Sequence, residues 1–286
     1  MREPDPRIVL GLHRSRHERL ILTSALELGV EAIDTSFNYH GFSAHTALAE
    51  VGGDLLPRFT VSTKVGFFPA ACGAEHSLDP GRLRAAVEQT NRDLGRVPDL
   101  VFLHNPERSL PERFSVAQEA LGTACAALER AAANGLCVAW GVSSWDPRPL
   151  PGLVDDTMPR PDVLMVRAGL LVPIDTLEAS DALAARWGLG LDQLWGMSPF
   201  GGGTGDPLWK TFDPRVFVQD PDDGLSAVQA AFRTAYRLPQ VGRVAVGTDA
   251  PSHLAELVTA LRYKTDVGSL RTYRRLLRER TSRQPV

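Results

Sequence analysis

The sequence predicts an α/β protein built as a (β/α)8 TIM barrel, and three observations carry that prediction. Eight short apolar runs alternate with helical stretches on very little linker. The runs are continuous rather than alternating in polarity, as strands covered on both faces must be. The 286 residues suit one such barrel, whose usual size is about 250 residues. A doubly wound open sheet is the runner-up, but the first run leads into Leu10-Gly11-Leu12-His13-Arg14 rather than a GxGxxG turn.

Ile8-Val9-Leu10 forms the first strand. From Glu18 to Leu28, the residues Leu20, Ile21, Ser24, Ala25 and Leu28 share one helical face, and Gly29 stops the helix. The run ending in Asp34 is the second strand, Ser43 to Leu56 a helix, and the run closed by Lys64 the third strand. Asp79 supplies a cap and Pro80 an early proline for a helix that Gly95 ends. Leu100 to His104 is the fourth strand, followed by an Ala-rich helix from about Glu112 to Asn134, closed by Gly135. Val138 to Val142 is the fifth strand, leading into Ser143-Ser144, and Asp162 to Val166 is the sixth. A helix from Ala179 to Trp187 precedes the seventh strand, Leu189 to Met197. Ser226 to Tyr236 is helical, Val241 to Val246 is the eighth strand, and Pro251 to Arg262 is its helix. Pro199 to Gly224 reads as a long irregular loop, of a length usually tied to function. With no linker or low-complexity tract, residues 1–286 read as one domain, and Tyr273, Leu276 and Leu277 suggest an extra helix at about 266–283.

Composition excludes several classes. A net charge of −3 and a pI near 6.2 give no basic footprint for nucleic acid or an anionic membrane. No apolar run approaches the roughly 20 residues that span a bilayer, and Arg2-Glu3-Pro4-Asp5-Pro6 is no signal-peptide pattern. Cys72, Cys125 and Cys137 are too few and too scattered for a disulfide framework, so a cytoplasmic protein is expected. His13, His17, His40, His45 and His76 show no metal-ligand spacing, and no metal is expected. Oligomeric state is not legible.

The chemistry sits at strand ends. Asp34, Lys64 and His104 close three consecutive strands, and Tyr39 follows the first of these by five residues. In a barrel the C-terminal strand ends form one face, so the four converge. A phenol titrates near 10 and is a poor acid at neutral pH unless a neighbouring cation stabilises its anion. Lys64 is placed to do that, Asp34 to hold the ammonium, and His104 to orient a substrate oxygen; a Tyr39 pKa near 7 would take about 4 kcal/mol of differential stabilisation. Singly, each residue reads as a cap, a loop aromatic, a surface lysine or a core histidine. Jointly, their types, order and strand positions favour a site. Phe67 and Trp145, just beyond the third and fifth strands, are candidate apolar walls.

These residues carry a resemblance. Asp34-Thr35-Ser36-Phe37-Asn38-Tyr39 is similar to the DTAxxY motif of the aldo-keto reductase superfamily, Ser62-Thr63-Lys64 to its S/T-K strand end, and Leu103-His104-Asn105-Pro106 to its LH motif. Gly141-Val142-Ser143-Ser144 resembles its GVSN, Ser198-Pro199-Phe200-Gly201-Gly202-Gly203 its SPLGGG, and Val246-Gly247-Thr248 its PGT. The resemblance implies a carbonyl reductase taking a small aldehyde or ketone, with hydride from a nicotinamide cofactor, NADP(H) favoured over NAD(H), and Tyr39 as general acid. It implies cofactor contacts at Ser143, Ser144, Met165, Met197, Ser198, Phe200, Gly201, Gly203, Gly247, Thr248 and His253. Several of these depart from the family pattern: Ser144 replaces an Asn, Met165 a Gln, Met197 a stacking Tyr and His253 an Arg, while Asp249 would repel a phosphate. Two other readings stay open, a cofactor-independent lyase or isomerase on the same barrel and a non-catalytic dinucleotide-binding regulator.

Overall fold

The computed structural model describes residues 7–282, so the opening Arg2–Pro6 segment and Arg283, the predicted end of the last helix, lie outside the described residues. The chain runs β1 (Ile8–Gly11), α1 (Arg19–Glu27), β2 (Ala32–Asp34), α2 (Ala44–Gly52), β3 (Thr60–Val65), β4 (Phe67–Ala70), β5 (Gly73–His76), α3 (Pro80–Leu94), β6 (Leu100–His104) and α4 (Phe114–Ala133). It continues with β7 (Ala139–Ser144), β8 (Val163–Arg167), α5 (Ile174–Arg186), β9 (Leu194–Met197), α6 (Leu208–Thr211), α7 (Ala227–Ala235), β10 (Arg243–Val246), α8 (Pro251–Ala260) and α9 (Val267–Ser282). Eight parallel strands close into a barrel in the order β1-β10-β9-β8-β7-β6-β3-β2. This is the expected (β/α)8 architecture.

Local chemistry sets the helix ends. The Asp79 carboxylate accepts from the Arg82 amide at 2.7 Å, Pro80 occupies the first turn of α3, and Gly95 ends the helix at φ 66°. Ser226 and Gln229 form a reciprocal capping box on α7. The predicted second helix stops earlier, at Gly52, because the Gly52-Gly53 pair weakens it there. α5 starts five residues earlier than predicted, just after Pro173, whose fixed φ suits a helix entry. β9 is shorter than predicted, since Leu191–Gln193 coil into a 3-10 turn before it.

Two kinds of core hold the barrel. Inside it, Val9, Ala32, Leu100, Phe102, Met165, Trp195 and Ala245 form one packed layer, with Phe102 edge-on to Trp195 at 5.7 Å. A Cβ on Gly141 would stand 2.7 Å from the Phe102 ring and 2.5 Å from the Val163 carbonyl, so only glycine admits that ring. Outside, apolar helix faces such as Leu83, Val87, Leu121 and Leu128 cover the strands. The predicted irregular loop carries α6 and a 3-10 turn, and Phe212, Phe217 and Tyr273 pin it to α9. α9 docks on α5 through Arg274 with Asp181 and Arg278 with Glu178. Among the described residues no helix is long and apolar enough to cross a membrane.

Candidate active site

Strand register builds the centre of the site. Asp34 pairs in register with Ser62, and Lys64 lies two residues further along β3, so both side chains leave the same face of the sheet. The Lys64 ammonium donates to Asp34 Oδ2 and to the Thr35 carbonyl, the latter at 2.9 Å. The other Asp34 oxygen accepts from the Ser62 hydroxyl at 2.8 Å. Both charges are almost completely withdrawn from water. Burial pulls the Lys64 pKa down, but Asp34 and then Tyr39 more than restore it, so the ammonium is held charged.

Tyr39 is half-buried, its ring 5.4 Å from Lys64 Nζ and 4.8 Å from the ring of His13. Its pKa differs from the sequence expectation. Burial pushes the phenol above its usual value; the Lys64 ammonium opposes this without reversing it, and the Asp34 carboxylate adds to the rise. At neutral pH the group is therefore a protonated phenol.

His104 ends β6 and is buried, and burial followed by Lys64 holds its pKa well below the ordinary imidazole range. A neutral ring donates at one nitrogen and accepts at the other. Nδ1 lies 3.1 Å from the Ser36 hydroxyl, which also reaches Asn38 Oδ1 at 2.7 Å. The strand end itself is fixed by His76, whose Nε2 donates to the His104 carbonyl at 2.7 Å while its Nδ1 lies 2.7 Å from the Ser109 hydroxyl. His76 comes from the β4–β5 hairpin, which the sequence reading did not foresee.

A cavity of about 630 Å³ opens over this centre, and Asp34, Tyr39, Lys64 and His104 all line it. Of the expected cofactor residues, Met197, Ser198, Phe200, Gly203, Gly247 and Thr248 also line it. Ser143, Ser144, Met165, Gly201 and His253 do not. Met165 is fully buried in the barrel layer, and His253 faces outward on α8. Ser144 is engaged elsewhere: its hydroxyl donates to the Glu107 carboxylate at 3.0 Å, which also accepts from the Trp145 and Asp146 amides. Asp249 lines the cavity, but its charge is met by the Ser15 hydroxyl at 2.7 Å and the Arg16 guanidinium at 3.5 Å.

A family model described as the aldo/keto reductase family matches residues 14–272. The chain belongs to the aldo/keto reductase family. That family is a class of NAD(P)H-dependent oxidoreductases acting on small carbonyl compounds, and this chain is an enzyme of that class. Among solved structures, an aldo-keto reductase from Bacillus halodurans in its holo form is similar at 18% identity and a TM-score of 0.72, over 95% of this chain and 91% of that one. An aldo/keto reductase from Klebsiella pneumoniae in complex with NADP and acetate is similar at 18% identity and a TM-score of 0.70, over 95% and 91%. An aldose reductase from Giardia lamblia gives 16% identity and 0.68, over 98% and 94%. At these identities the likeness is one of fold. No curated protein matches the chain.

Sequence reasoning missed several residues of this aldo/keto reductase's cavity or its supports. Asn105 lines the cavity with a buried Oδ1 that has no hydrogen-bond partner among the described residues, and its backbone takes a left-handed φ of 51°. The signal was present, since Asn is among the residues that tolerate that conformation and it directly follows the strand-end histidine. Ser36, His76 and Glu107 act through other side chains or the backbone, and nothing local in the sequence marks such partners.

Proposed function

We propose that this aldo/keto reductase reduces the carbonyl of a small aldehyde or ketone, with Tyr39 as general acid, Lys64 and Asp34 as the charge pair behind it, and His104 orienting the carbonyl oxygen. The observation that carries the reading is that Tyr39, His104 and the buried Lys64–Asp34 pair all line one cavity. When bound, a nicotinamide cofactor supplies the hydride. The chain's residues handle the oxygen. Tyr39, protonated at neutral pH, gives its phenolic proton to that oxygen as negative charge develops there. The nearby Lys64 ammonium then stabilises the phenolate left behind. His104 can donate Nε2–H to the same oxygen only if the Ser36 hydroxyl donates to Nδ1, which requires the Asn38 amide to turn its NH2 toward Ser36.

The residues present fit a dinucleotide. A Cβ on Gly202 or Gly203 would meet nothing within 4 Å, so this loop leaves room for close approach to a phosphate. Met197, Ser198, Phe200, Gly203, Gly247 and Thr248, all of the cavity lining, would hold the cofactor. The orphaned Asn105 Oδ1 is an acceptor for the carboxamide that Ser144, tied to Glu107, no longer serves. NADP(H) is the proposed cofactor over NAD(H). The Klebsiella pneumoniae relative holds NADP, and the Arg16 pairing removes the repulsion that an isolated Asp249 would exert on a phosphate.

Titration with NADPH and NADH, followed by quenching of Trp fluorescence, tests the reading. NADPH should bind, and more tightly than NADH. Tyr39→Phe should keep that affinity while turnover falls about 10²- to 10⁴-fold. A Tyr39→Phe enzyme with near wild-type turnover refutes the assignment. Binding of neither dinucleotide refutes the cofactor and turns attention to cofactor-free proton transfer.

A further inference from the structure

The rim of the cavity holds a solvent-exposed cation, Arg108, that pairs with no acidic group among the described residues. Arg108 follows β6 by four residues and lines the cavity. Among the described residues its guanidinium makes no hydrogen bond or ion pair, and it lies over the ring of Phe67, 5.5 Å from the ring centre. The carboxylates of the lining are committed, Asp34 to Lys64 and Ser62 and Asp249 to Ser15 and Arg16, and the adjacent Glu107 is held by Ser144 and two backbone amides. Phe67 in turn stands edge-on to His104 at 4.9 Å. These two ring contacts bring the guanidinium carbon within about 10 Å of the imidazole centre.

Position decides what such a cation is for. In the closed barrel, β6 lies four strands from β10 either way round, so Arg108 is across the mouth from Gly247 and Thr248. It thus stands four strands from Gly247 and Thr248 and three from the Gly202-Gly203 loop after β9, and it borders the space where the carbonyl would sit. Arg14, the other cation of the lining with no acidic partner, follows β1, next to β10.

Building on the carbonyl-reductase reading above, we propose that the substrate is an acidic carbonyl compound whose carboxylate is bound by Arg108 while its carbonyl oxygen meets Tyr39 and His104. A guanidinium presents two parallel N–H donors that match a carboxylate. Hydrogen bonds at both ends take up about 3 Å each, so the substrate bridges only the few ångströms left. That ceiling describes a short semialdehyde or keto acid with no more than about two carbons between the two groups. Phe67 walls the aliphatic stretch between them.

The test separates binding from turnover. Calorimetry on the full chain compares 4-hydroxybutanoate, the alcohol such a reduction would yield, with the neutral 4-hydroxybutanamide. The acid should bind about ten- to a hundred-fold more tightly, the range of a charge-assisted pair. Arg108→Met should erase that ratio and Arg14→Met should leave most of it. With NADPH present, kcat/KM for 4-oxobutanoate over its methyl ester should show the same ratio in the wild type, expressed mainly in KM, and lose it in Arg108→Met. Equal binding of acid and amide overturns the proposal, as does a preference that survives Arg108→Met or falls only in Arg14→Met. Retained, Arg108-dependent acid binding without any carbonyl reduction would instead overturn the reductase reading and leave the anion site standing.

Discussion

His45 makes the fold sensitive to acid in a way that can be worked out from the structure. It lies on α2 with its ring nearly closed to solvent, Nε2 2.8 Å from the Thr63 hydroxyl, one residue before Lys64. Burial, then the positive charges of His17 and Lys64, lowers its pKa to about 4. An unfolded imidazole titrates near 6.5, so between these values the unfolded chain binds the extra proton and stability falls as the pH falls. Linkage gives a loss of about 2 kcal/mol between pH 7 and pH 5 and about 3 kcal/mol once both states are protonated, from His45 alone. Urea unfolding of the wild type and His45→Gln at pH 7 and pH 5 measures it. The variant should lose about 2 kcal/mol less than the wild type over that interval, whatever its stability at pH 7. The reasoning is refuted if the two proteins lose stability in parallel.

Lys64→Met strands the Asp34 charge in the interior and should cost about 3–5 kcal/mol, together with nearly all turnover. Adding Asp34→Asn should recover most of the stability, seen as a return of the melting temperature, and none of the turnover. Ser36→Ala leaves His104 Nδ1 without its hydroxyl partner, so kcat for carbonyl reduction should fall about ten-fold with unchanged NADPH affinity, a loss that Ser36→Thr partly rescues. Glu107→Ala unties Ser144 and the Trp145 and Asp146 amides together, and thermal unfolding should register a loss of about 3 kcal/mol.

The barrel was legible because its strands must be apolar on both faces and its helices on one, and both patterns survive in a single sequence. The four residues over the cavity were legible for a related reason. Asp34, Lys64 and His104 are polar groups closing apolar runs, positions where a buried side chain needs a partner. The β4–β5 hairpin was not legible, since Phe67-Phe68-Pro69-Ala70 has no clean alternation and its proline is tolerated only because the hairpin has no third strand to pair with. Residues inferred as cofactor contacts by motif position fall partly inside and partly outside the cavity lining for a physical reason. Motif position fixes where a backbone lies, whereas whether Met165 reaches the cavity or fills the barrel layer depends on the layer's side chains from five other strands.

The hairpin also explains why the site has the shape it does. A Cβ on Gly66 would come within 3.0 Å of the His104 carbonyl and 3.1 Å of His76 Nε2, at a φ of 146° that side-chain-bearing residues rarely adopt. Glycine there lets β3 run past Lys64 and turn at once into β4, which sets Phe67 against His104 and returns the chain so that His76 reaches the carbonyl of that same residue. One excursion between β3 and α3 therefore both fixes the strand end that carries His104 and walls the path from it to Arg108. Barrel strands alone would align Asp34, Lys64 and His104; the wall beside them and the brace on the His104 carbonyl come from a segment that belongs to no barrel strand.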